Sequence, residues 1–144
     1  MKNKILHFLI LPIAINFLCS YLESALINSD QNTTSVKDFL DAGYAPLVYA
    51  MFVALACFAI PLIEEVIFRK WLWSFVDRFL GSNHTLWLTS VLFAFLHGGW
   101  YGFALLPFAF YLGYVRKIYG SFKFSTVPHI VFNLTGVLLT IGGI

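Results

Sequence analysis

A chain of 144 residues that is 60% hydrophobic and only 11% charged lies far from the soluble globular balance, in which about a quarter of residues are charged. Its mean hydropathy of +0.82 and its 16 phenylalanines and 4 tryptophans suit lipid-facing and interfacial positions. The net charge of +2, with no basic patch or recognition motif, argues against a nucleic-acid partner.

In chain order, Lys2 and Lys4 precede an apolar run from Ile5 to about Cys19. The pattern resembles the basic and apolar regions of a secretory signal, but no small-residue cleavage site follows. It reads as an uncleaved first span, kinked at Pro12. Cys19, and Cys57 further on, lie in apolar runs and read as packing residues rather than a disulfide or metal pair.

Glu23 to Asp41 is the one extended polar segment. It holds Glu23, Asp30, Asp38 and Asp41 against Lys37 alone, which favours the outer side and a cytoplasmic amino terminus. Asn32-Thr33-Thr34 matches a glycosylation sequon without consequence in a bacterium, and Asn133-Leu134-Thr135 falls in a span. Residues 1–44 therefore read as a span and a polar loop, and 45–144 as the functional core.

Ala45 to Ile60 is apolar and uncharged, and Pro61 opens the run Pro61-Leu-Ile-Glu64-Glu65-Val-Ile-Phe-Arg69-Lys70. Each charge at a bilayer centre costs about 2.5–3.5 kcal/mol, so Glu64, Glu65 and Arg69 unpaired would cost roughly 8–10 kcal/mol. An anchoring span would be more stable with leucine at all three. Residues four apart share a helix face, so Glu65 is expected to pair with Arg69. Glu64, about 100° around the helix, is then the chemically available carboxylate. A helix starting at Pro61 would put both glutamates at its positive end.

Apolar residues continue to Asp77-Arg78, and Gly81-Ser82-Asn83 makes a turn. Thr85 to Leu96 is the next span, ending at His97-Gly98-Gly99. Phe103 to Val115 follows, ending in Arg116-Lys117. A basic loop through Lys123 leads to Thr126-Val-Pro128-His129, which reads as a capped helix start. The last span runs to Gly143. The expected fold is all-α: a polytopic membrane helix bundle of about five to six spans. Counting Ala45–Phe79 as one proline-broken crossing gives five, with Arg78, Arg116, Lys117 and Lys123 on the cytoplasmic side.

His7 and His84 have no partner pattern. Phe93 and His97 lie one turn apart, as do His129 and Asn133. Alone, either pair would more often be a helix-end histidine or interhelical glue. Lipid satisfies no polar group, so three polar clusters on three separate helices must be buried against one another.

Glu64-Glu65-x-x-x-Arg69, Phe93-x-x-x-His97 and His129-x-x-x-Asn133, in this order and each in an apolar helix, resemble the CPBP family (CAAX protease and bacteriocin-processing, also called Abi). The resemblance covers roughly Ala45 to Ile144. Lys70 stands where many members have glycine, and many members carry additional amino-terminal helices. The resemblance implies an integral protein of the bacterial cytoplasmic membrane, an intramembrane endopeptidase acting on a peptide or protein substrate that is lipidated or membrane-associated.

The residues fit that chemistry. Glu64 with His97 can position and deprotonate a water. His129 with Asn133 can hold the oxyanion, where one donor is typically worth about 2.7–4 kcal/mol. Glu65, Arg69 and Phe93 would support them. The expected enzyme needs no cofactor. The alternative is zinc held by Glu64, His97 and His129, since catalytic zinc commonly uses three protein ligands and a water. A further alternative is a non-catalytic membrane protein of the bacteriocin-immunity type. The sequence leaves the oligomeric state and the scissile sequence open.

Overall fold

The computed structural model describes residues 3–26, 42–98 and 101–142. Every element among them is helical. A π-helical turn, Leu6–Ile10, leads into α1, Leu11–Leu26. A long helical run follows: α2 (Pro46–Ala54), a π segment (Leu55–Ala59), α3 (Ile60–Glu65), a second π segment (Val66–Leu72) and α4 (Trp73–Leu96). A 3-10 turn, Tyr101–Leu105, precedes α5 (Leu106–Tyr119), and α6 (Phe122–Gly142) closes the chain.

The prolines explain two of the π segments. Pro12 and Pro61 lack the N–H that would bond the carbonyl four residues back, and their rings crowd it. A wide π turn stands just before each, at Leu6–Ile10 and Leu55–Ala59, and the helix continues through it. Pro61 is therefore internal, not a helix start. The expectation that both glutamates lie at a positive helix end is corrected, because no free N–H groups stand there. Thr126 likewise caps nothing: α6 begins at Phe122 and the Thr126 hydroxyl bonds back to Phe122 O at 3.1 Å. The expected turn at Gly81 is present, with φ 72° and ψ 160° interrupting α4.

Glu23 belongs to α1, which extends to Leu26. The rest of the polar segment, with Asp30, Asn32, Lys37, Asp38 and Asp41, lies outside the described residues, as does Lys2.

Helix directions follow from the contacts. Phe8 stacks on Phe124 at 6.2 Å, and Asn16 donates to Phe132 O at 3.0 Å, so α1 and α6 run parallel in constant register. Trp87 meets Phe110 at 4.6 Å and Lys117 meets Asn83, so the later part of α4 is antiparallel to α5. Ala56 O accepts from Asn133 while Glu65 meets Ser125, so the proline-broken helix is antiparallel to α6. Lys4, Arg78, Lys117 and Lys123 thus fall towards one end of the bundle.

Small residues let the helices approach. A Cβ at Gly113 would stand 3.2 Å from Ser90 Oγ and 3.3 Å from a Leu86 side-chain carbon. Phe68, Phe93 and Ala109 form one core cluster, and Cys19, Phe108 and Leu112 another. Both cysteines are free and buried. Large apolar side chains cover the outside, Leu47, Phe79 and Leu96 among them. Leu6–Ala25, Pro46–Leu96 and Phe122–Ile141 are each long and apolar enough to cross a membrane. The chain is an integral membrane protein built of packed helices.

Candidate active site

The acidic motif, the end of α4 and the first half of α6 converge on one cavity of about 260 Å³, lined among others by Glu64, Phe93, His97, His129 and Asn133. Glu64 lies between two imidazoles. Its Oε1 is 3.3 Å from His97 Nε2 and its Oε2 is 3.4 Å from His129 Nε2. The Glu64 side chain is 20% exposed and that of His97 28%, whereas Glu65 is fully buried. Glu64 is thus the carboxylate with access to the cavity.

His97 caps α4, where the chain leaves helical geometry. Its ring stacks on Phe93 at 4.1 Å, and its Nδ1 lies 2.7 Å from Phe93 O. A carbonyl only accepts, so Nδ1 carries the hydrogen and Nε2 faces Glu64. A glycine fixes this helix end. A Cβ at Gly102 would meet Ala94 O at 1.9 Å, so only glycine lets the 3-10 turn close on the carbonyls before His97.

His129 is buried and held at both nitrogens. Nδ1 lies 3.1 Å from Glu65 Oε1, and Nε2 faces Glu64. Phe108 and Phe93 make T-shaped contacts with the imidazole at 5.1 and 5.8 Å. Asn133, one turn on, donates one Nδ2 hydrogen to Ala56 O at 2.9 Å. That leaves its second N–H for the cavity.

The expected Glu65–Arg69 ion pair is not formed. The reason is local: Glu65 precedes the π segment Val66–Leu72, in which residues four apart no longer stack. Arg69 is fully buried and donates from Nη2 to Ala109 O at 2.8 Å, with its guanidinium 5.0 Å over the Phe93 ring. Its charge still faces the acidic pair at longer range. Ser90 Oγ donates to the same Ala109 carbonyl at 3.1 Å. Among the described residues, His84 bonds its own helix at Leu80 O and the His7 ring packs on Tyr114 and Tyr119, so neither enters the site.

Counting charges shows what the cluster can do. With Glu64 and Glu65 ionised and Arg69 positive, the buried set carries one net negative charge. One proton shared among Glu64, His97 and His129 neutralises it. Among the described residues, no group of three or more His, Cys, Asp or Glu is arranged to hold a metal ion.

Ser125 was missed in the sequence. Its hydroxyl hydrogen-bonds Glu65 Oε2 and lies 2.8 Å from Phe122 O. The signal was available: the one-turn spacing that leads from His129 forward to Asn133 leads backward to Ser125. Nothing in the sequence marks Ser90 or the Ala109 carbonyl as partners of Arg69.

No curated protein and no solved structure matches the chain. The family of Type II CAAX prenyl endopeptidases, Rce1-like, matches residues 46–135, a segment that contains Glu64, Glu65, Arg69, Phe93, His97, His129 and Asn133. It is the CAAX-protease relationship to which the three motifs pointed, and on a match over more than half its length the chain belongs to the Type II CAAX prenyl endopeptidase Rce1-like family.

Proposed function

We propose that the chain is an intramembrane endopeptidase in which Glu64 is the general base. The observation that carries this reading is the Glu64 carboxylate held between His97 Nε2 and His129 Nε2 on the wall of a cavity. A water bound by Glu64 and His97 gives its proton to the carboxylate as its oxygen attacks the scissile carbonyl. The oxyanion takes hydrogen bonds from His129 Nε2 and the second Asn133 N–H, and Glu65 balances the charge on His129. The intermediate collapses as the stored proton passes to the leaving amine. Water and peptide bond are consumed, and one carboxyl and one amino terminus form.

The reaction proceeds without a metal in this reading. Each Glu64 oxygen faces an imidazole nitrogen, and a proton rather than a metal closes such a contact. The catalytic unit is 45–144, and the substrate is a peptide or protein at the membrane. The basic cluster at one bundle end supports five crossings, counting the proline-broken helix once, with the amino terminus on the cytoplasmic side.

The test is cleavage of prenylated and leader-type peptides by the protein in liposomes. Glu64→Gln keeps the shape and removes the base, so cleavage should fall by about two to four orders of magnitude. Wild-type activity should survive a zinc chelator. Activity lost to the chelator and restored by zinc would instead assign Glu64, His97 and His129 as ligands. Full activity in Glu64→Gln would end the proposal.

A further inference from the structure

The cavity at Glu64 does not stand alone. A second, of about 230 Å³, shares Ala56, Phe132 and Asn133 with it. A third, of about 370 Å³, shares Asn16, Phe132 and Gly136 with the second. Together they follow one face of α6, through His129, Phe132, Asn133, Gly136 and Thr140, a one-turn repeat. The opposite wall at the far end is α1, which lies outside the family match.

The groove is apolar with polar groups at intervals. Asn133 stands near the inner end. Asn16, 5% exposed, comes next: its Nδ2 donates to Phe132 O, and its Oδ1 takes no partner among the described residues. Glu23 stands at the outer end, exposed and in no ion pair among the described residues. It lies near the end of the span Leu6–Ala25, where a bilayer gives way to water.

We propose that this groove binds the substrate's own polypeptide in extended form, with α1 reading it at a distance from the scissile bond. The inference rests on the protease reading of Glu64. A lipid tail satisfies no hydrogen bond and would leave the carboxamide oxygen of Asn16, on the groove wall, unpaired. An extended peptide offers N–H groups that must be satisfied within the membrane. Eleven residues of α6 separate His129 from Thr140, about 16 Å at the helical rise. An extended chain covers that in about five residues. The exposed carboxylate of Glu23 then selects a lysine or arginine about five residues from the cut.

The experiment presents a library of random decapeptides to the full chain in liposomes and sequences the products by mass spectrometry. Wild type should enrich Lys or Arg four to six residues from the cut, roughly fivefold, the size of one exposed charge pair. Glu23→Lys should reverse the preference towards Asp and Glu. A profile that Glu23→Lys leaves unchanged overturns the groove while leaving the protease reading intact. If wild type cuts nothing, the protease reading falls, and a second arm decides the groove. Ser20→Cys, on the exposed wall of the outer cavity, is labelled with a maleimide. Lysine-bearing decapeptides should slow labelling and glutamate-bearing ones should not. Protection by farnesol and by no peptide would make this a lipid groove and overturn the proposal, as would no protection at all.

Discussion

Glu65 Oε1 lies 3.1 Å from His129 Nδ1, and this contact ties the acidic motif to α6. It gives the two adjacent glutamates different work. Glu65, fully buried, fixes the ring of His129 from behind, so that Nε2 points at Glu64 and the cavity. A histidine's second nitrogen is commonly set by such a partner.

Glu65→Gln should therefore impair the enzyme without touching the cavity. The amide cannot balance charge on His129, and one buried pair is lost, a change typically costing about 3–5 kcal/mol of stability. If His129 serves as an oxyanion donor, kcat should fall by about 100-fold to 1,000-fold. Thermal unfolding in detergent and kcat on a cleaved peptide measure both. Wild-type kcat in a folded Glu65→Gln protein would remove Glu65 from the mechanism.

Arg69→Lys should not be tolerated as a conservative change. The guanidinium both bonds Ala109 O and stands over Phe93, 5.0 Å from the ring centre. A lysine ammonium reproduces neither the planar donor nor the contact with the ring. The loss should be about 1–3 kcal/mol, from one buried hydrogen bond and one desolvated cation–π contact. The half-life of activity on heating is the readout, and Arg69→Lys should shorten it more than Lys70→Arg, because the Lys70 side chain lies at the surface.

Gly102→Ala and Gly136→Ala make a matched pair. At Gly102 the added carbon falls 1.9 Å from a backbone oxygen, so the 3-10 turn must move away from the end of α4 that carries His97. Overpacking of this kind costs about 1–3 kcal/mol. At Gly136 the nearest atom is Asn16 Nδ2 at 3.5 Å, ordinary contact, so the protein should fold normally. Yield of folded protein by size-exclusion chromatography separates them. Equal yields would mean that the turn has room to shift.

Much of the candidate site was legible because lipid makes polar residues conspicuous. Glu64, His97, His129 and Asn133 could be found as the polar exceptions in apolar helices, and their convergence followed from the need to bury them together. The family relationship rested on the same residues. The pairing of Glu65 was not legible, since the one-turn rule assumes an α-helix and Arg69 lies in a π segment. Helix starts at Pro61 and Thr126 failed for a related reason. Proline in a membrane helix is accommodated by a widened turn or by neighbouring helices, so it no longer marks a boundary. The parallel packing of α1 on α6 had no local signal, because it joins residues 116 apart.

Ser125 provides the sharpest check on the arrangement behind His129. Its hydroxyl serves Glu65 Oε2, and its side chain is fully buried, away from the cavity. In the proposed mechanism it is a positioning residue, acting through Glu65 on His129. Ser125→Ala removes one hydrogen bond to a charged group, worth about 1.5–3 kcal/mol. If that interaction is felt mainly as the charge on His129 develops, kcat falls by roughly tenfold to a hundredfold while KM holds. Ser125→Thr keeps the hydroxyl and should restore most of kcat. A purely structural role would lower the amount of active protein in Ser125→Ala but leave kcat per active site unchanged, so active-site titration beside the kinetics decides between them.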